Sequence, residues 1–166
     1  MLQRTVPTLR LAAGGAAAAG VAALAVALVA QYGFGLRPCV LCIAQRVPFV
    51  LAALLGLAAL TPAAARAQRP LVLLAGLAFL ANTALAVYHV GVEDHWWVSP
   101  GCSAEGPQKP MTVAELAQLA AQPAEVPCDK PAWSWHGVTM AGFNVAYSGG
   151  LALIVLALAF RREERR

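Results

Sequence analysis

Four long apolar runs set the pattern of this chain. They cover roughly Leu11 to Gln31, Ile43 to Leu60, Leu71 to Val90 and Phe143 to Phe160. Each has about the 17–25 residues that a helix needs to cross the hydrocarbon core of a bilayer. The only formal charge inside them is Arg46, near the start of the second run. Backbone polar groups in lipid must bond within their own segment, so each run predicts a helix. The fold expected is an all-α integral membrane protein, a single four-helix bundle over residues 1–166, with short polar connections and one long loop over about 91–142. Gly14-Gly15-Ala16 and Ser148-Gly149-Gly150 are the places where small residues are expected to bring helix backbones close.

The long loop has a pattern of its own. Trp96 and Trp97 follow the third run, and Trp133 and Trp135 precede the fourth, as in an aromatic belt at the interface. Between them Thr112-Val113-Ala114-Glu115 reads as a capping box, with Met111 and Leu116 placed as a hydrophobic staple. Val113, Leu116, Leu119 and Ala120 make one apolar stripe that Pro123 ends. This predicts a short amphipathic helix, lying on the membrane surface or packed on the loop's own core.

Composition agrees with the pattern. Hydrophobic residues make up 60% of the 166 and charged residues 12%, against about 25% charged in soluble domains. The net charge of +4 is distributed unevenly. Arg4, Arg10, Arg66, Arg69, Arg161, Arg162, Arg165 and Arg166 fall on one side of a four-span chain; Arg37, Arg46, Lys109 and Lys130 fall on the other. The positive-inside rule then puts both termini in the cytoplasm and the loops at 32–42 and 91–142 outside. No basic face interleaved with aromatics is present, so nucleic-acid binding is not expected. The first run is longer than a signal-peptide core of 7–15 residues, which favours a retained span over a cleaved leader, although Leu28-Val29-Ala30 loosely resembles a cleavage site.

All four cysteines lie on the predicted outer side or at its membrane edge. Pro38-Cys39-Val40-Leu41-Cys42 is the most specific motif. Pro38 suits a first helical turn, and the orphan N–H groups and dipole of a helix N-terminus favour a thiolate. A Cys-x-x-Cys pair in that position suits reversible dithiol–disulfide exchange. Arg46 is four residues past Cys42, on the same helical face. It either snorkels to the interface or stabilises a thiolate and holds a quinone carbonyl; the cost of a cation near a span favours the functional role. Pro48 removes the hydrogen bond to Ala44 and should disturb the helix there.

Cys102 and Cys128 sit in Pro- and Gly-rich surroundings, Pro100-Gly101-Cys102-Ser103 and Pro127-Cys128-Asp129, which predict exposed, mobile segments. Alone they read as a structural disulfide or as a redox pair; beside a membrane-edge Cys-x-x-Cys they read as the first half of a relay. His89 closes the third span and Met140 precedes the fourth. Each reads as interfacial packing or, with Arg46 and Cys42, as part of the wall of a quinone site.

These features resemble the disulfide bond formation protein B (DsbB) family. The resemblance rests on four spans, Pro-Cys-Val-Leu-Cys at the second, Arg46 four residues on, and a cysteine pair in the last outer loop. Cys128-Asp129 followed by Trp133, Gly137, Met140 and Asn144 adds to it; residues 91–100 and the stretch between Cys102 and Cys128 match less clearly. The resemblance implies a protein-dithiol:quinone oxidoreductase of the bacterial inner membrane. A DsbA-like periplasmic thiol oxidase would be its partner and ubiquinone or menaquinone its electron acceptor. It implies attack by the partner's thiolate on a Cys102–Cys128 disulfide, transfer to Cys39–Cys42, and delivery of the electrons from Cys42, beside Arg46, to the quinone.

Three rivals are weaker. In the vitamin K epoxide reductase family the Cys-x-x-Cys follows the loop pair, whereas Cys39 and Cys42 precede Cys102 and Cys128. Haem attachment needs a histidine where Ile43 stands, and a four-thiolate zinc site needs closer spacing than Cys102 and Cys128 have. An inert bundle with two structural disulfides would not re-oxidise with quinone.

Overall fold

The computed structural model describes residues 7–99, 102, 112–113 and 126–161. Its helices are α1 (Pro7–Leu28), continued by a π-helical turn over Val29–Gly33, α2 (Val40–Ala44), α3 (Arg46–Leu60), α4 (Gln68–Glu93) and α5 (Met140–Phe160). Four spans long and apolar enough to cross a membrane result: Pro7–Gly33, Val40–Leu60, Gln68–Glu93 and Met140–Phe160. Each apolar run of the sequence lies inside one of them. Of the helix expected after Thr112, Val113 is described and helical; the rest lies outside the described residues.

The bundle packs around Phe49, Val72, Phe79 and Val155, with alanines such as Ala13, Ala52 and Ala75 filling the crossings. Phe49 and Phe79 meet edge to face at 6.1 Å. The large residues that point outward are apolar, among them Leu11, Leu54, Leu80 and Leu153, the surface that a lipid-embedded bundle presents.

The close approach of α1 and α3 differs from expectation. Space beside Gly14 and Gly15 is open, whereas a Cβ at Gly20 would stand 2.7 Å from the Phe49 carbonyl oxygen, and one at Gly56 2.6 Å from that of Ala13. The contact stripe is therefore Ala13–Ala17–Gly20 against Ala53–Gly56, because residues three and four apart share one helix face. In α5, Gly149 has only ordinary contact with Thr83 and Gly150 faces open space, whereas Ser148 of the same stretch is fully buried and accepts from Asn82 of α4 at 2.8 Å.

At one end of the bundle the helices converge with the cysteines. Here α2 and α3 are separated by Gln45, where the helix breaks. Pro48 accounts for the break, since it cannot donate to Ala44. Ahead of α5 the chain forms a two-residue hairpin, β1 (Ser134–Trp135) paired with β2 (Val138–Thr139). His136 and Gly137 have φ of 49° and 82°, the backbone that a tight hairpin turn of this hand requires.

Candidate redox site

Cys39 is the N-cap of α2, one residue past Pro38, so the proline precedes the cap instead of occupying the first turn. The Cys42 backbone N–H donates to the Cys39 sulfur at 3.2 Å, which satisfies one of the orphan donors of the helix N-terminus. The two sulfurs are 2.8 Å apart, with Cys39 donating to Cys42. The Cys39 thiol is pushed well above its ordinary value, first by that hydrogen bond and then by burial.

Cys102 and Cys128 are joined by a disulfide, and Cys39 and Cys42 are free. The Cys128 N–H also donates to the Cys102 carbonyl at 2.7 Å. Contrary to the exposed segments expected, Cys102 and Cys128 are buried, at 8% and 1% exposure. The reason is a wall from elsewhere in the chain: Val92 and Tyr88 of α4, with Val126, close over them. Cys39 belongs to the same cluster and Cys42 packs against it, so the two pairs are neighbours.

Cys39 and Cys42 also line a cavity of about 590 Å³. Arg46, His89, Met140 and Phe49 line it together with Cys39 and Cys42. Arg46 donates from Nη1 to Gln31 Oε1 at 2.8 Å, while its Nε is buried without a hydrogen-bond partner. A buried orphan donor on an apolar cavity is a place for a carbonyl acceptor. Trp133, expected at the interface, lines this cavity too. Trp97 instead stacks on Tyr88 at 5.6 Å and donates to the Tyr88 carbonyl.

Asn144, noted in the family resemblance, and three residues that the sequence did not single out, Gln45, Glu93 and Thr139, complete the site. Gln45 is buried and sits between His89 Nδ1, 2.9 Å from its Nε2, and Asn144, whose Nδ2 donates to Gln45 Oε1 at 2.6 Å. Glu93 Oε1 lies 3.8 Å from His89 Nε2, and Thr139 donates to Glu93 Oε2 at 2.6 Å. The hairpin could have been found from His136-Gly137; the Gln45–Asn144 pair, 99 residues apart, leaves no local signal.

Three of these residues also have the spacing of metal ligands. Cys39, Cys42 and His89 bring three donor atoms within 4.8 Å of one another. Forming the Cys39–Cys42 bond removes two of the three, and the other two cysteines are bonded to each other, so the four-thiolate set is not assembled. The arrangement suits sulfur exchange: one bonded pair, one free pair in contact with it, and an apolar cavity beyond.

A family comparison agrees with that geometry. The model of the family described as disulfide bond formation protein DsbB matches residues 9–158. The chain belongs to the DsbB family. The match runs from within the first span to within the last and takes in all four cysteines. DsbB membership implies an oxidoreductase that supports disulfide-bond formation through a membrane redox relay. No curated protein and no solved structure matches the chain significantly.

Proposed function

We propose that this protein re-oxidises a soluble, thioredoxin-fold thiol oxidase of the DsbA type and passes the electron pair to membrane quinone. The observation that carries the reading is that the free Cys39–Cys42 pair both packs in one cluster with the Cys102–Cys128 disulfide and lines the cavity that Arg46 lines. The arginine distribution supports cytoplasmic termini and cysteines at the periplasmic edge of a bacterial inner membrane.

The steps follow from thiol–disulfide exchange. A thiolate of the partner attacks Cys102; the partner–Cys102 bond forms and Cys128 leaves as a thiolate. The partner's second thiol attacks the mixed disulfide, so the partner leaves oxidised and the loop pair is reduced. Cys128 then attacks Cys39, breaking Cys39–Cys42 and releasing Cys42 as a thiolate. Cys102 closes on Cys128 and releases Cys39. The result is a bonded loop pair beside a free Cys39–Cys42 pair, the same sulfur state as in the structure.

Cys39 and Cys42 then lose two electrons and their two protons as their bond re-forms. A bound quinone, ubiquinone or menaquinone, supplies the two-electron, two-proton acceptor. Arg46 suits such an acceptor, since its orphan Nε offers a donor to a carbonyl oxygen. His89 and Met140 line the same cavity and would flank a ring bound there.

The test is quinone reduction by the purified full-length chain, fed with a reduced thioredoxin-fold oxidase. Turnover is expected for the wild type and lost in each of the four single Cys→Ser variants. A cysteine variant that still turns over at the wild-type rate removes its residue from the relay.

A further inference from the structure

We infer that His89 is held as an Nε2–H donor to the Cys39 sulfur by a buried chain of amides running from Ser148 and Asn82 through Asn144 to Gln45. Asn144 and Gln45 are its positioning residues. The inference rests on the relay proposed above and adds to it the proton geometry at Cys39.

The chain can be followed atom by atom from its far end. Ser148 and Asn82 are fully buried. The Ser148 hydroxyl donates to Asn144 Oδ1 at 2.7 Å. Asn82 Nδ2 donates to Ser148 Oγ at 2.8 Å and to Asn144 Oδ1 at 3.2 Å. The oxygen of Asn144 is thereby occupied, and its nitrogen donates to Gln45 Oε1. That leaves the Gln45 nitrogen facing His89 Nδ1. A neutral imidazole carries one proton, so an accepting Nδ1 puts it on Nε2.

Nε2 faces the Cys39 sulfur at 3.6 Å and Glu93 Oε1 at 3.8 Å, and the ring also has a hydrogen bond with the Cys128 backbone. A reversed chain would also connect every link, with one difference at its end. As oriented, the buried atom left without a partner is Asn82 Oδ1; reversal would strand the Asn82 amide N–H₂ instead. A buried oxygen without a donor is tolerated more often than a buried N–H without an acceptor. The same comparison fixes the sign of the field at Cys39: its sulfur receives the Cys42 N–H and the imidazole N–H together.

The consequence lies in the closing step. When Cys39 gives up its proton and its sulfur bonds to Cys42, the negative charge that develops on Cys39 meets two donors that need no rearrangement. The electron pair and both protons still leave to the quinone; His89 contributes a hydrogen bond and takes no net proton. The other ionisable groups lining the same cavity are Glu93 on its own helix, Cys39 at the N-cap of α2 and Cys42 within it, Arg37, Arg46 on α3, Tyr147 on α5, and Lys130 ahead of the hairpin.

The experiment uses the full-length chain with ¹⁵N-labelled histidine in detergent. Nitrogen shifts report the tautomer of His89 directly, with His89→Gln assigning the signal. The wild type is expected to carry the proton on Nε2. Gln45→Glu, which turns the facing donor into an acceptor, is expected to move it to Nδ1. Gln45→Met and Asn144→Leu are expected to release the preference and to slow single-turnover re-formation of Cys39–Cys42 with a soluble quinone by about tenfold or more, the loss of one hydrogen bond to a charged group. The partner's oxidation by the loop disulfide should be unchanged in these variants. Should one variant fail to fold, the wild-type spectrum and the remaining variants decide. An Nδ1–H tautomer in the wild type, or a spectrum unaltered by Gln45→Glu, overturns the inference. A wild-type chain that reduces no quinone while its His89 proton sits on Nε2 refutes the relay and leaves the tautomer standing.

Discussion

Arg46 is tied to Gln31 across the α1–α3 crossing by a 2.8 Å hydrogen bond, and this bond leaves its Nε buried and unpaired at the cavity beside Cys42. Gln31 thus fixes where the guanidinium points without using all of its donors. Lysine has a single flexible ammonium and cannot hold Gln31 and a second acceptor in one plane. Arg46→Lys is expected to raise the KM for quinone by about tenfold, corresponding to one lost hydrogen bond from a charged group, and Arg46→Ala by more. The rate of disulfide exchange with the soluble partner should stay near wild type in both. Steady-state quinone kinetics beside stopped-flow partner oxidation separate the two; unchanged quinone kinetics in Arg46→Ala would count against the pocket.

The α1–α3 crossing makes a second, independent prediction. At Gly20 and Gly56 the facing atoms are backbone, and backbone has nowhere to move without separating the helices. Gly20→Val and Gly56→Val are each expected to destabilise the bundle by about 1–3 kcal/mol, the usual cost of overpacking. Gly15→Val should be near neutral, since its space is open. Thermal unfolding in one detergent ranks the three. If Gly15→Val proves as damaging as Gly56→Val, the packing stripe is wrong.

Thr139 joins two functions in one hydroxyl. It accepts from the Gly142 N–H as the cap of α5 and donates to Glu93 at the end of α4. Replacing a capping threonine costs about 0.5–2 kcal/mol. Thr139→Val is expected to lose that stability and also to free the Glu93 carboxylate near His89. Thr139→Ser keeps both bonds and should restore wild-type melting and quinone turnover. The comparison is informative because the hairpin delivers Thr139 by its register, pairing it with Ser134. A serine variant that fails to rescue melting would remove the hydroxyl from the account.

How much of this was legible in the chain depends on the range of the cause. A bilayer imposes its thickness on every residue of a span, so four runs of apolar residues predict four helices without tertiary information. The break at Gln45 was legible too, because Pro48 acts on the helix that carries it. Burial of Cys102 and Cys128 was not, since Pro and Gly describe their own backbone and say nothing of Val92 and Tyr88 arriving from α4. Gln45, Asn82, Asn144 and Ser148 look like scattered polar residues until the helices pack and join them. Gly14-Gly15-Ala16 was legible only in part for a related reason: Ala16 is fully buried in the core while the two glycines face open space, because the partner helix decides which small residues are used.

The division of labour between the pairs leads to a stoichiometric prediction. Cys102–Cys128 is already bonded, and nothing in its first exchange with a partner requires Cys42. In Cys42→Ser the loop disulfide can therefore oxidise one equivalent of reduced partner. Its electrons then have no route onward, because Cys39 has lost the sulfur with which it forms a bond. The expected outcome is a burst of a single equivalent of oxidised partner per protein, followed by no quinone reduction. In Cys102→Ser even the burst should vanish, since Cys128 has no bonded sulfur to offer. Cys39→Ser should behave like Cys42→Ser in the burst and in the absence of turnover, although its remaining thiol lines the cavity. Rapid acid quench with thiol counting on the partner measures the burst. Steady quinone reduction by Cys42→Ser at the wild-type rate would mean that electrons leave the loop pair by a path that avoids the membrane-edge sulfurs, and the relay as drawn would be wrong.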